Sequence, residues 1–193
     1  MKKFWPVIGL LVVITAFSFF IDENVRVFML SAQNEQLNAA MLFFSALGGL
    51  TLGVPFIVAA LIILEMKRKN KIAVNLLITL AIDIVLTTVL KLVIGRGRPD
   101  GASDSDALEV YLPSFPSAHS SRAFAMFSLL DYYYKKPALL YSIATLVALS
   151  RVYFGVHHLS DVLAGMITGL LVARFVTSKN LGERLSRMFK KKQ

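Results

Sequence analysis

Long apolar runs separated by short basic connections constrain this chain more than any other feature. A helix needs about 20 apolar residues, within a range of about 17 to 25, to cross the hydrocarbon of a bilayer. Residues Phe4 to Ile21 meet that requirement and are followed by Asp22 and Glu23, with no small-residue cleavage site. They are therefore expected to stay as a first span. A second span is expected to start near Leu50, after a break marked by Gly48, Gly49, Gly53 and Pro55, and to end near Met66. Further spans are expected over 73–90, 118–134, 138–154 and 159–176. The intervening stretch 24–37 mixes Val25, Val27, Phe28 and Leu30 with Arg26, Gln33, Asn34 and Glu35, as an interfacial amphipathic helix would. The fold expected is all-α, a polytopic membrane bundle of about six transmembrane helices forming one domain over 1–193.

Composition agrees, since 56% of the 193 residues are hydrophobic, above the roughly 45–50% of soluble domains. With no cysteine, disulfides, thiolate metal sites and cysteine nucleophiles are all excluded. The net charge of +9 would suit a nucleic-acid binder, but the positions of the charges argue against that partner. Fifteen of the 21 basic residues fall at Lys2, Lys3, Lys67–Lys71, Lys135, Lys136 and from Arg174 through the tail. All of these lie on one side of the expected topology, which the positive-inside rule makes cytoplasmic, together with both termini and a basic tail over 177–193.

Five of the six remaining cations need another reason. Lys91, Arg96 and Arg98 precede Pro99; Arg122 follows the run Pro116, Ser117, Ala118, His119; Arg151 follows Ser150 and precedes His157 and Asp161. Each cluster sits where an apolar span meets the outer surface, and converging cations there point to an anionic ligand. Phosphate transfer asks for this set, because three charged oxygens must be held while nucleophile and leaving group exchange. Arginine offers a two-pronged fork and lysine a point charge, so Lys91, Arg98 and Arg151 are candidate phosphate ligands. Ser117 adds a hydroxyl, and the backbone N–H groups of Ala118 and His119 open a helix whose dipole favours an anion. His157 and Asp161, four apart, would share a helix face, so that the carboxylate fixes the imidazole tautomer and leaves the other nitrogen as nucleophile. His119 is then the acid that protonates the departing alkoxide.

The three clusters read KLVIGRGRP, PSAH and SRVYFGVHHLSD. In order and spacing they resemble the signatures of the type 2 phosphatidic acid phosphatase family, over a motif core of 91–161. The resemblance implies a phosphohistidine intermediate on His157, His119 as acid–base partner, Asp161 as its orienting carboxylate, and phosphate held by Lys91, Arg98, Ser117 and Arg151, without metal or other cofactor. Ala118 replaces the usual glycine but keeps its N–H, so activity is expected to persist. The implied substrate is a membrane lipid: phosphatidate, phosphatidylglycerol phosphate or polyprenyl diphosphate. Two other readings stand beside it, a phosphatase of a small soluble ester and a non-catalytic anion or lipid carrier, the latter suggested by Asp83 within a span.

Asp83 is expected to face the bundle interior in a structural hydrogen bond, since an ionisable group costs about 2.5 kcal/mol or more at mid-membrane. Arg96 and Arg122 are expected either to solvate the outer face or to widen the phosphate site, His158 to be a packing or interfacial residue, and Tyr132, Tyr133 and Tyr134 to form an inner aromatic belt.

Overall fold

The computed structural model of the protein describes residues 4–49, 53–67, 70–100 and 111–182. Lys2, Lys3, Arg68, Lys69, the acidic residues Asp104, Asp106 and Glu109, and the tail from Glu183 lie outside the described residues, as does the expected start of the second span at Leu50. Among the described residues there are eight α-helices and no strand: α1 (Phe4–Ser18), α2 (Asp22–Ser31), α3 (Glu35–Gly48), α4 (Gly53–Met66), α5 (Asn70–Ile94), α6 (Ala118–Tyr134), α7 (Pro137–Tyr153) and α8 (Leu159–Lys179).

Local chemistry sets most of these boundaries. Proline at the first position of α7 supplies a pre-set φ where no intrahelical donor is needed. Gly95 ends α5 and Gly155 turns the chain between α7 and α8, each at φ +64°, a conformation that a side chain disfavours. Asn34 caps α3 by accepting from the Leu37 N–H at 3.0 Å.

The last four helices follow the sequence expectation within a few residues. The first half departs from it. The apolar run that begins at Phe4 stops as a helix at Ser18, and the chain then bends by 81° into α2. The amphipathic segment is shorter than expected, and α3 forms a separate helix before the Gly48–Gly53 break. By length and composition, α5 and α8 are each able to cross a membrane, and three spans result if the bent α1–α2 pair is one. Helices α4, α6 and α7, with 14, 17 and 17 residues, rise only about 21–26 Å at 1.5 Å per residue, against roughly 30 Å of hydrocarbon.

The core is built around α6, which packs most extensively on α8 and then on α7 and α5. Leu76, Leu129, Ala144, Val147 and Val176 are completely buried within it. The α6–α8 contact is close because α8 presents Gly165 and Gly169 one turn apart, the small-residue spacing that lets helix backbones approach. A Cβ at Gly169 would collide with the Ser121 carbonyl oxygen and lie 2.7 Å from the Ala125 nitrogen. Asp83 of α5 is buried as expected and accepts from Ser121 Oγ at 2.5 Å, which ties a third helix to the same seam.

Because overpacking at a backbone contact costs about 1–3 kcal/mol, Gly169→Ala is expected to lower the thermal midpoint of the detergent-solubilised protein by about 5 °C. Gly9→Ala, whose added carbon meets nothing within 4 Å, is expected to leave the midpoint unchanged or raise it. Equal midpoints for the two variants would show that the α6–α8 approach is not tight.

Candidate active site

Consecutive antiparallel helices bring the three clusters to one end of the bundle. Lys91 lies in the last turn of α5 and Arg151 in that of α7, while Ser117, Ala118 and His119 open α6 and Asp161 lies in the first turn of α8. Ser117 N–H donates to the Asp161 carbonyl at 2.9 Å, which fixes the two helix starts together. His119, Ser117, Arg151, Lys91, His157 and Asp161 are all buried there, and Arg98 is half-buried.

His157 is not on the helix that carries Asp161. It lies in the turn after Gly155, where the Gly155, Val156 and His157 N–H groups fold back onto the carbonyls of Val152, Arg151 and Arg151 at 2.9, 3.2 and 3.3 Å. The turn leaves His157 Nδ1 3.5 Å from Asp161 Oδ2. Neither ring nitrogen meets hydrogen-bond geometry with a described residue, although the side chain is wholly buried. A buried imidazole in that condition is costly unless something else engages it.

The residue expected to pack, His158, instead caps α8. Its backbone N–H donates to Asp161 Oδ2 at 2.9 Å, and its Nδ1 lies 3.3 Å from the same oxygen. Asp161 is therefore the third residue of a capping box as well as the neighbour of His157. Arg96 does not solvate the outer face either: Nη1 donates to Asp161 Oδ1 at 2.7 Å and to Ser160 Oγ at 2.6 Å. Arg122 is also turned inward, buried, with Nη1 donating to the Gly48 carbonyl at the end of α3. Both arginines point inward because a carboxylate or an exposed helix-end carbonyl is available there, and neither partner is near in sequence.

The expected phosphate ligands also have protein partners. Lys91 Nζ donates to the Pro113 carbonyl at 2.6 Å. Arg98 donates to the Leu112 and Val156 carbonyls, both at 3.3 Å. Arg151 Nη1 donates to Ser45 Oγ of α3 at 2.5 Å. These contacts, to carbonyls and a hydroxyl, orient the cations at this end of the bundle. Ser117 Oγ is buried without a hydrogen bond to a described residue, at the start of a helix whose dipole favours an anion. Ala118 adopts an ordinary negative φ, because Lys135 and Asn180 alone take positive values among the described non-glycine residues. Alanine therefore fits the position without strain.

Sequence reasoning missed Asp22 and Ser45. Asp22 was only the polar end of the first apolar run, and Ser45 lay inside another; neither carries a signal of contacts made 74 to 138 residues away. A separate cavity of about 590 Å³ lies at the far end of the bundle, lined by Phe4, Leu11, Phe124, Lys135, Met166 and Arg174, and no motif residue borders it.

A bundle of apolar helices with buried cations and two histidines at one end is the architecture of an integral-membrane phosphatase, and comparison with known proteins agrees. Residues 72–183 match the PAP2 superfamily. Phosphatidylglycerophosphatase B of Bacillus subtilis is 31% identical over 182 residues, covering 88% of this chain and 87% of that protein. An undecaprenyl-diphosphatase of Sulfolobus acidocaldarius is 34% identical, covering 77% and 74%. The crystal structure of a transmembrane PAP2-type phosphatidylglycerolphosphate phosphatase from Bacillus subtilis superposes with a TM-score of 0.76 at 28% identity, over 93% of this chain and 96% of that one. The chain belongs to the PAP2 superfamily, as its motifs imply, and is a phosphoric ester hydrolase.

Burial pushes the His157 imidazole down to about 4, with Arg151 and Lys91 acting in the same direction and Asp161 opposing. His157 is thus neutral wherever the enzyme is folded above about pH 5. The unfolded chain, near the ordinary value of about 6.5, takes up a proton first as pH falls. Stability contributed by neutral His157 is therefore complete above about 6.5 and lost as pH falls towards about 4. Denaturation midpoints measured from pH 7.5 to 4.5 are expected to drop more steeply for the parent than for His157→Gln; parallel curves would place the histidine's titration outside this window.

Proposed function

We propose that this protein removes a phosphate group from a membrane lipid, as a monoester or a diphosphate, through a phosphohistidine on His157 and without metal. The observation that carries the proposal is the wholly buried His157, its Nδ1 3.5 Å from Asp161 Oδ2 and its Nε2 without a hydrogen bond to a described residue. In that tautomer Nδ1 keeps its proton towards the carboxylate, and Nε2 presents a lone pair. Nε2 attacks phosphorus, the bond from phosphorus to the leaving oxygen breaks, and His119 gives that oxygen its proton. Water then attacks the phosphohistidine, His119 takes the proton, and inorganic phosphate leaves with His157 restored.

Lys91, Arg98 and Arg151 hold the phosphate oxygens, with the Ser117 hydroxyl and the N–H groups of Ala118 and His119 completing the cradle. Preorganised donors of this kind are each worth about 3–4 kcal/mol of transition-state stabilisation when removed singly. A lipid is the favoured substrate because the cradle stands at the end of apolar helices, where a head group would present its phosphate. The names of the relatives, a phosphatidylglycerophosphatase and an undecaprenyl-diphosphatase, support the same class. The basic connections at Lys67, Lys71, Lys135, Lys136 and Lys179 lie at the other end of the helices, which favours an extracytoplasmic site.

Purified protein in chelator is expected to release phosphate from phosphatidate, phosphatidylglycerol phosphate or polyprenyl diphosphate faster than from a sugar phosphate. His157→Ala is expected to reduce kcat by about 10³-fold or more and His119→Ala by about 10²–10⁴-fold. Parent-level turnover by His157→Ala would overturn the nucleophile, and equal rates on a soluble ester would overturn the lipid substrate.

A further inference from the structure

Arg96 lies in the connection that follows α5, between Gly95 and Gly97, outside the set of groups assigned above to phosphate. Its guanidinium joins two buried carboxylates from opposite ends of the sequence. Nη1 donates to Asp161 Oδ1 at 2.7 Å, and Nη2 donates to Asp22 Oδ2 at 2.8 Å. Asp22, the first residue of α2, also accepts from the Ser160 N–H at 2.9 Å and from Ser160 Oγ at 2.5 Å. The ring of Phe19 covers the guanidinium at 4.8 Å. The result is a closed ring of contacts, Asp22–Arg96–Asp161 with Ser160 between, which binds the bend after α1 to the start of α8.

We propose that Arg96, held in place by Asp22, is a positioning residue for the reaction: it occupies one oxygen of Asp161 so that the other faces His157. This inference rests on the functional reading above. A carboxylate rotates easily about its last torsion, which is broad and two-fold. Here Oδ1 is taken by Arg96, and Oδ2, which accepts from the His158 N–H, lies 3.3 Å from His158 Nδ1 and 3.5 Å from His157 Nδ1. Without the arginine, Oδ1 loses the hydrogen bond from Nη1 that fixes it.

Charge gives the second part of the role. The groups facing His157 are Asp161 and His158 at the start of α8, Arg151 from α7 and Lys91 from α5, with Arg96 behind Asp161 and His119 opening α6. Lys91 and Arg151 disfavour an imidazolium, while Asp161 favours one. Arg96 neutralises Asp161, so the carboxylate faces the imidazole at 3.5 Å without drawing a second proton onto it. Remove that neutralisation, and the buried anion is most cheaply balanced by a protonated His157, whose Nε2 then has no lone pair to attack with.

The test uses full-length protein in detergent micelles with dioleoyl phosphatidate as probe. Arg96→Gln is expected to lower kcat by about 10–100-fold, the range for residues that orient a catalytic group, with KM within about threefold of the parent. The acidic limb of its kcat/KM profile is expected to move to higher pH. Arg96→Lys, which keeps the charge and loses the fork, is expected to return that limb towards the parent and to recover part of kcat. Asp22→Asn keeps the size and, with its amide oxygen in the place of Oδ1, the contact to the Ser160 N–H, but its NH2 accepts from neither Arg96 Nη2 nor Ser160 Oγ; a smaller fall in kcat at unchanged KM is expected, and this variant carries the test if Arg96→Gln does not fold. Parent-like kcat in Arg96→Gln or in its substitute, a loss confined to KM, or an unmoved acidic limb would overturn the proposal. His157→Ala run in parallel separates the two readings. If it is inactive while the Arg96 variants behave as the parent, only the positioning role fails; if it is as active as the parent, the functional reading fails first.

Discussion

Burying charge inside a largely apolar bundle is the constraint around which this protein is arranged. Lys91, Arg151, Arg122, Asp83, Asp22 and Asp161 are all nearly or fully inaccessible, and an uncompensated ion of this kind costs several kcal/mol. All but Asp83 stand near a helix end, where carbonyls, hydroxyls and N–H groups are available to meet them, and Asp83, midway along α5, is met by the Ser121 hydroxyl. Arg122 and Arg151 reach α3, Arg98 reaches the turn before His157, and Asp161 is satisfied by Arg96 and by the cap of its own helix. The polar end of the bundle is therefore cross-linked by charge, while the remainder is held by apolar packing and one close helix seam.

That division explains why α2 and α3 exist. Neither is long enough to span a membrane, yet they carry Asp22, Ser45 and the Gly48 carbonyl, and tie themselves down through Gln33 Nε2 to the Tyr153 carbonyl at 2.8 Å and Tyr153 hydroxyl to Asn38 at 2.7 Å. They are better understood as the far wall of the polar chamber than as failed spans.

How much of this was readable in the sequence follows from the range of the interactions. Helices α5, α7 and α8 were visible as predominantly apolar runs and α6 as the segment between Pro116 and the Lys135–Pro137 turn, and their alternation of direction already placed Lys91, His119, Arg151 and Asp161 at one end. Family membership was legible from three short motifs whose spacing is local. The bend after Ser18 and the separate α3 were less visible, since their composition is mixed and their stability comes from tertiary contacts. The helix-face argument for His157 and Asp161 failed in its geometry because Gly155 turns the chain before α8 begins; the glycine was a signal for that turn. Arg96, Arg122 and His158 were misread for one reason. Their partners are a carboxylate, a helix-end carbonyl and a capping position, none of which periodicity can reveal.

The glycine seam between α6 and α8 has a consequence for how a head group enters. The starts of those two helices carry Ser117, His119 and Asp161, and their backbones are already in contact at Gly165 and Gly169. Spreading them apart would tear the same elements that the chemistry needs in register. A head group therefore meets a fixed wall on the α6–α8 side, and the wall facing it is built by α2 and α3, joined to the site through Arg96, Arg122 and Arg151.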